Sequence, residues 1–331
     1  MKKLFFLLAC VAMSVLSMAQ VNQLVWANGR LLYGSPITNV DSLTYDESAG
    51  MDTLLLPRVL MKEVHDTVYV TQVVHDTVYV ETDCGEDTPS EGIGVFSVSA
   101  DKQVTFSPGN LQYHPANDEW RFAPSQLDYI GDANSYCSPT YNGWLDLFGW
   151  SGSTGSAKFG VSISEDNANY AGSFVDWGTN QIGSDAPNTW RTLTVDEWGY
   201  LLSTRANASS LKGVAQVNGV NGLIFLPDTW VCPEGITFKS GDNRHGDDYA
   251  AYQTFTAAEW SKLESAGAVF LPAAGWRSGS YLIYVQLNIH YWSSTEYSSN
   301  NANFFYLDLL GARMLNGDRD RGMSVRLVKD L

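Results

Sequence analysis

The chain has 331 residues and carries 36 acidic against 20 basic side chains, a formal net charge of −16. That balance excludes a nucleic-acid partner, because phosphate binding needs a basic face, and it disfavours adhesion to an anionic membrane surface. Divalent cations, cationic groups and neutral sugars remain as partner classes.

Lys2-Lys3, the apolar run Leu4 to Leu16 and Ser17-Met18-Ala19 before Gln20 follow the order of an export signal. The run is too short for a spanning helix. The expectation is therefore a signal peptide over 1–19 and a chain that is not membrane-spanning, secreted or held in the cell envelope (periplasm or outer surface). Leu8-Ala9-Cys10 resembles a lipid-attachment box, but it leaves about six apolar residues ahead of the cysteine where an h-region has about 7–15. Losing Lys2 and Lys3 leaves 18 basic residues against 36 acidic, a net charge of −18. Cys84, Cys137 and Cys232 follow, and an odd count in an exported chain allows one bridge and one leftover thiol. Cys84 sits in an acidic connector, so Cys137 and Cys232 are the expected pair. No Cys-x-x-Cys occurs, which argues against a cysteine zinc site.

Residues 20–60 read as a short β segment. Leu24-Val25-Trp26 and Leu31-Leu32-Tyr33 flank Asn28-Gly29, the pair that favours a tight hairpin. A perfect repeat follows, with Val64-His65-Asp66-Thr67-Val68-Tyr69-Val70 recurring as Val74 to Val80. Ten is even, so an extended chain keeps Val64, Val68 and Val70 on one face with Val74, Val78 and Val80. The expectation is an extended repeat spacer, able to support self-association through 64–80. His65 and His75 would stand roughly 33 Å apart on one strand, which argues against metal. With the acidic linker 81–92, the spacer region spans 61–92.

The large domain is placed at 93–331. Strands are predicted at Phe96–Ser99, Gln103–Phe106 and Trp120–Phe122. Thr194-Val195-Asp196-Glu197 and Thr256-Ala257-Ala258-Glu259 are capping boxes. Each continues as Glu-Trp-x-x-Leu, which puts Trp198 with Leu201 and Trp260 with Leu263 on a helix face expected in the core. Phe225-Leu226-Pro227 and Phe270-Leu271-Pro272 close a strand after each helix. At the end of the chain, Tyr291-Trp292-Ser293-Ser294-Thr295-Glu296 and Asn303 to Leu309 read as strands. Breaks follow at Gly311 and at Asn316-Gly317-Asp318, before Ser324-Val325-Arg326-Leu327-Val328. The class is α+β, because helices and strands do not alternate regularly.

Phe106-Ser107-Pro108-Gly109-Asn110-Leu111-Gln112-Tyr113, Trp120-Arg121-Phe122-Ala123 and Tyr129-Ile130-Gly131 resemble the opening of exported Bacteroidales proteins. Trp190-Arg191, Ala274-Gly275-Trp276-Arg277, Tyr291-Trp292-Ser293-Ser294 and Ser324 to Val328 resemble the Fibrobacter major paralogous domain. That resemblance implies a C-type-lectin-like fold with two helices and small antiparallel sheets, related to formylglycine-generating enzymes and to the variable binding proteins of diversity-generating retroelements. The oxidase relatives need late cysteines, and none follows Cys232. Calcium-dependent sugar lectins carry Glu-Pro-Asn or Gln-Pro-Asp and Trp-Asn-Asp, whereas Trp292 precedes Ser293-Ser294. The variable binding proteins hold diversified positions around a Trp-Ser-Ser frame and a terminal Arg strand. Where the resembled family has glycines, this chain has Val285-Gln286-Leu287-Asn288-Ile289-His290.

The resemblance and the residue types together give an expected binding face of Tyr284, Gln286, Asn288, His290, Tyr306, Asp308, Arg313, Asn316 and Asp318. Tyrosine supplies contact area at low entropic cost, and amides and arginine hydrogen-bond adaptably. The expected function is a non-enzymatic, lectin-like or adhesin-like module for a protein or glycan ligand, with its face in 280–320. The alternatives are a structural cell-envelope or fimbria-associated protein and a divergent enzyme. No cofactor is expected. Thr295-Glu296 with Asp308, Asp318 and Asp320, and the loop Asp242 to Asp248, have oxygen ligands that suit calcium, but solvated acidic loops are the plainer reading of both. No Gly-x-Ser-x-Gly elbow occurs, and His245 and His290 read as surface residues. Arg326, between Val325 and Leu327, reads as a paired internal cation.

Overall fold

The computed structural model describes residues 94–242 and 248–331, together with the backbone of six short strands between Trp26 and Val70. The chain forms two compact units, Met1–Glu86 and Asp87–Leu331, so the second begins inside the stretch read as linker. The expected signal, the second repeat copy and the linker 81–92 lie outside the described residues.

In the first unit, β1 (Trp26–Ala27) pairs with β2 (Arg30–Leu31), Ala27 opposite Arg30, the spacing an Asn-Gly turn requires. Strands β3 (Thr44–Tyr45), β4 (Thr53–Leu56), β5 (Val59–Val64) and β6 (Thr67–Val70) form one antiparallel sheet in chain order. Val64 stands opposite Thr67, so the first repeat copy crosses between paired strands and does not run as one extended spacer. Pairing gives those backbone amides and carbonyls partners within the chain, which a lone strand leaves to water.

The second unit is α+β, built from small sheets that are antiparallel except for one pairing. Strand β7 (Phe96–Ser97) pairs with β8 (Gln103–Phe106), and β9 (Leu111–His114) with β10 (Glu119–Phe122). Next come β11 (Arg191–Thr192) and helix α1 (Val195–Gly199), which runs on as a π-type turn over Tyr200–Thr204. The hairpin β12 (Lys212–Val217) and β13 (Val220–Phe225) is joined by β14 (Thr254–Phe255), parallel to β12. Helix α2 (Ala257–Ser265) leads into β15 (Val269–Pro272), which pairs with β13, so the two Phe-Leu-Pro segments share one sheet. Strands β16 (Trp276–Ser278) and β17 (Tyr281–Ile283) form a hairpin ahead of the terminal sheet β18 (Ile289–Glu296), β19 (Asn301–Asp308) and β20 (Gly311–Asp318). The last strand, β21 (Leu327–Asp330), inserts between β11 and β8.

Both capping boxes form as their sequences require, with Thr194 and Thr256 accepting from the amides of Glu197 and Glu259 and each glutamate accepting in return. Trp198 is 0 % exposed and stacks on Phe305 at 5.1 Å; Trp260 is 3 % exposed and meets Phe270 edge-on at 5.6 Å. The terminal sheet divides two apolar clusters. Ile289, Tyr291, Phe305 and Leu307 join Trp198 on one side, while Trp292 and Phe304 join Phe148 and Trp150 on the other. That is the strict alternation of a strand buried on both faces.

The Trp-Ser-Ser stretch ties these layers together. Trp292 Nε1 donates to Phe148 O at 2.7 Å and Trp150 Nε1 to Ser293 O at 3.1 Å. Ser293 Oγ donates to Asn303 O at 2.7 Å, and Thr295 Oγ1 accepts from Val195 N at 3.0 Å.

Three expectations are corrected. Asn316-Gly317-Asp318 is strand, not loop, paired with Asn303-Ala302-Asn301. Gly317 packs closely on its neighbours: a Cβ there would stand 3.1 Å from Phe304 Cε1 and 3.3 Å from Arg321 Nη1, so both would have to give by a few tenths of an ångström. Cys137 and Cys232 are both free, the first buried and the second exposed, so they do not share an environment that a bridge could close. His290 is not a surface residue but is buried, at 6 % exposure. Among the described residues no helix is long and apolar enough to cross a membrane.

Candidate functional site

The register of the terminal sheet sets His290 opposite Tyr306 and Tyr306 opposite Arg313, a row across β18, β19 and β20. The His290 and Tyr306 rings lie 4.7 Å apart, and the Arg313 guanidinium sits 4.9 Å over the Tyr306 ring. Asp308 holds Arg313 through two parallel hydrogen bonds of 2.6 and 2.8 Å, a fork that fixes the guanidinium plane. Asn288 Nδ2 donates to Tyr306 Oη at 3.1 Å.

The hairpin β16–β17 walls this row. Trp276 lies 6.3 Å from His290, and Arg321 stacks over Trp276 at 4.8 Å while pairing with Asp318 at 3.0 Å. The loop ahead of β18 and the tip Leu309-Leu310 stand at the same end of the sheet, because Ile289 pairs with Leu307 and Asp308 with Gly311. At that end Tyr284 is 52 % exposed and Leu310 81 % exposed. Tyr284 and Gln286 both take left-handed backbone, φ 57° and 62°.

The nine expected face residues therefore divide. Tyr284, Asn288, His290, Tyr306, Asp308 and Arg313 come together at one end of the sheet. Gln286 belongs to the scaffold, since its Oε1 accepts from Asn221 N at 2.7 Å and its Nε2 donates to Tyr129 Oη at 2.7 Å. Asn316 and Asp318 lie at the far end of β20, paired with Asn303 and Asn301. Five and seven residue steps of strand put them roughly 17 and 23 Å from Gly311. Trp276 and Arg321 line the row but were not among the expected face. Trp276 stood out only in the Ala-Gly-Trp-Arg motif. Nothing in Asp318-Arg319-Asp320-Arg321 tells which arginine is buried, and the structure buries Arg319 at 1 % exposure.

The acidic residues with calcium-type ligands do not converge. Glu296 pairs with Arg319 at 2.9 Å, Asp308 with Arg313 and Asp318 with Arg321. Asp242 faces Lys212 at 3.4 Å, and residues 243–247 of its loop lie outside the described residues. No group of three or more His, Cys, Asp or Glu among the described residues is arranged to hold a metal ion.

Charge states on the face are set by these neighbours. Burial, with the Arg321 charge beside it, pushes the His290 imidazole down to about 3. The Arg313 hydrogen bonds hold the Asp308 carboxyl below its ordinary range, and Asp308 in turn raises the Arg313 guanidinium. Burial, then the Asp308 charge, raises the Tyr306 phenol. At neutral pH the row is a neutral imidazole, a protonated phenol and a closed ion pair. It offers ring faces and fixed hydrogen-bonding groups, with His290 too weak a base to take a proton readily. No protein-family model matches the chain, and neither does any curated protein or solved structure.

Proposed function

We propose that this is an exported, non-enzymatic ligand-binding module on a C-type-lectin-like fold. Its face is the end of the terminal sheet where Tyr284, Tyr306 and Arg313 reach the surface over the buried His290, and its ligand is a protein or glycan. The observation that carries this reading is Tyr284. A non-glycine residue in left-handed backbone costs about 1–2 kcal/mol, and this one spends that strain on a half-exposed aromatic ring. Its hydroxyl carries none of the hydrogen bonds among the described residues, so nothing in the fold asks for tyrosine there. Gln286, equally strained, ties Asn221 to Tyr129 through its side chain, whereas Tyr284 hydrogen-bonds among the described residues only through its backbone carbonyl, which accepts from Leu287 N and Asn288 N. Half-exposed aromatic rings beside a stacked arginine are the composition of interaction hot spots. The weak basicity of His290 and the closed Asp308–Arg313 pair favour recognition over acid–base chemistry.

The test is the Tyr284→Gly variant against wild type on glycan and protein arrays, with melting curves for both. Glycine accepts the left-handed backbone freely, and its entropic cost of about 0.5–1 kcal/mol roughly offsets the relieved strain. Stability should hold within about 1 kcal/mol while retention falls at least tenfold. Because His290, Tyr306, Asp308 and Arg313 keep one charge state across neutral pH, the wild-type affinity should be flat between about pH 5 and 8. Equal retention by the two proteins would remove Tyr284 from the face. No specific retention by the wild type would favour a structural envelope role.

A further inference from the structure

Four arginines among the described residues are buried, and three of them are held by several acceptors, although Arg277 and Arg319 each leave Nε without a partner. Arg205 donates to three backbone carbonyls and to Asp228. Arg277 donates to Gly279 O and Ser162 O, and Arg319 to Gly172 O and Ser298 O with Glu296 at 2.9 Å. Arg326 differs. It is 1 % exposed, and its one hydrogen bond runs from Nη2 to Gln126 Oε1 at 2.6 Å. Nε and Nη1 are buried with no partner. The expectation of a paired internal cation is thus corrected: an amide, not a carboxylate, meets the guanidinium.

The neighbouring acids are engaged elsewhere. Glu264 accepts from Gln126 Nε2 at 2.9 Å, and Asp146 is held by Asn134 Nδ2 and the Ile130 amide, both at 2.7 Å. Burial pushes the Arg326 guanidinium down to about 10, which still leaves it charged at neutral pH. An uncompensated buried charge is among the most costly features a fold can contain.

A second orphan donor lies on the facing segment. The Ser107 N to Leu327 O and Leu111 N to Val325 O hydrogen bonds, both 2.9 Å, bracket Asn110 on one segment and Arg326 on the other. Asn110 Oδ1 accepts from Tyr291 Oη at 3.0 Å, which leaves Asn110 Nδ2 buried and without a partner. The place is the junction of the three apolar clusters. Tyr291 belongs to one and Val325 and Leu327 to another, while Gln126, the partner of Arg326, also accepts from Phe270 N of the third.

We infer that a small anion of chloride size binds inside this junction, held by Arg326 Nε and Nη1 and by Asn110 Nδ2. The two bracketing hydrogen bonds hold the Asn110 and Arg326 segments side by side, and the Tyr291 phenol that donates to Asn110 also feels the Arg326 charge. The orphan donors therefore share one apolar-walled neighbourhood with a fixed positive charge, a chemistry that favours an anion over a neutral water. Its occupancy couples the three core clusters to the anion concentration of the medium. This site is separate from the proposed ligand face and does not depend on it.

The experiment melts the full mature chain in sodium chloride or sodium bromide against sodium gluconate at matched ionic strength. The melting temperature should rise by roughly 3–6 °C for each tenfold increase in halide above its dissociation constant. Superimposed melts in halide and gluconate would overturn the inference. Asn110→Asp places a carboxylate beside Arg326 and should abolish the halide dependence; dependence that persists undiminished would also overturn it. If that variant does not fold, bromide-soaked crystals of the wild type decide. An anomalous peak beside Arg326 supports the site, and a water alone refutes it.

Discussion

His290 shows how much one buried side chain can report. It sits among Trp276, Phe304 and Tyr306 with Nδ1 unpartnered, so folding favours its neutral form. Its folded pKa of about 3 lies below the ordinary histidine value, so the unfolded chain binds the proton first as pH falls. The stability that neutral His290 contributes is whole above about pH 6.5 and is lost progressively as pH falls from there towards 3. His290→Phe keeps a flat ring in a ring-lined site and removes the titration. Its stability at pH 7 should stay within about 1.5 kcal/mol of wild type, and denaturant midpoints between pH 7 and 4 should fall less steeply. Equal slopes for the two proteins would mean that His290 does not titrate on unfolding. None of this was legible in the sequence, where a histidine between Ile289 and Tyr291 carries no mark of which face it takes.

At the scale of elements, what could be read locally was read well, and what depended on a neighbour was not. A capping box is closed by residues three apart, so Thr194 with Glu197 and Thr256 with Glu259 declared both helix starts. The Asn-Gly pair declared the first hairpin for the same reason. Gly317 misled because glycine marks two different things, a turn or a crowded strand, and only Phe304 and Arg321 decide between them. The repeat misled likewise, since alternation shows which residues share a face but not where a strand folds back on its partner. The two helices give a clean check on their expected role. Trp198→Ala and Trp260→Ala should each cost about 3–5 kcal/mol, whereas Thr194→Ala or Thr256→Ala should cost about 1 kcal/mol. Chemical denaturation of the four variants tests that ranking. A tryptophan variant no worse than a cap variant would mean that the helix face is not the core contact.

At the scale of the whole molecule, the second unit is closed by its own two ends. Strand β21, the last in the chain, lies between β8, near the start of the unit, and β11, which leads into helix α1. Val328 stands opposite Phe106 on one side and Arg191 on the other, so a few residues carry the pairing of two distant segments. Arg191 strengthens the same seam. It forks onto Glu197 at 2.7 and 2.9 Å and reaches Asp330 at 2.7 Å, joining the helix start to the final strand. In the sequence Ser324 to Val328 reads as a buried strand, whereas the strand starts at Leu327, and its neighbours are set by segments more than a hundred residues away that periodicity does not name. Losing residues 327–331 would therefore leave β11 without its strand partner, leave β8 paired only with β7, and uncover Val104, Phe106 and Leu193, all buried in the first cluster. Removing residues 1–86 would take away only the other compact unit. A chain beginning at Asp87 should melt cooperatively on its own. A chain ending at Arg326 should lose the near-ultraviolet circular dichroism of its packed tryptophans. If the shortened C-terminus melts like the full chain, β21 is an accessory edge and the closure argument fails.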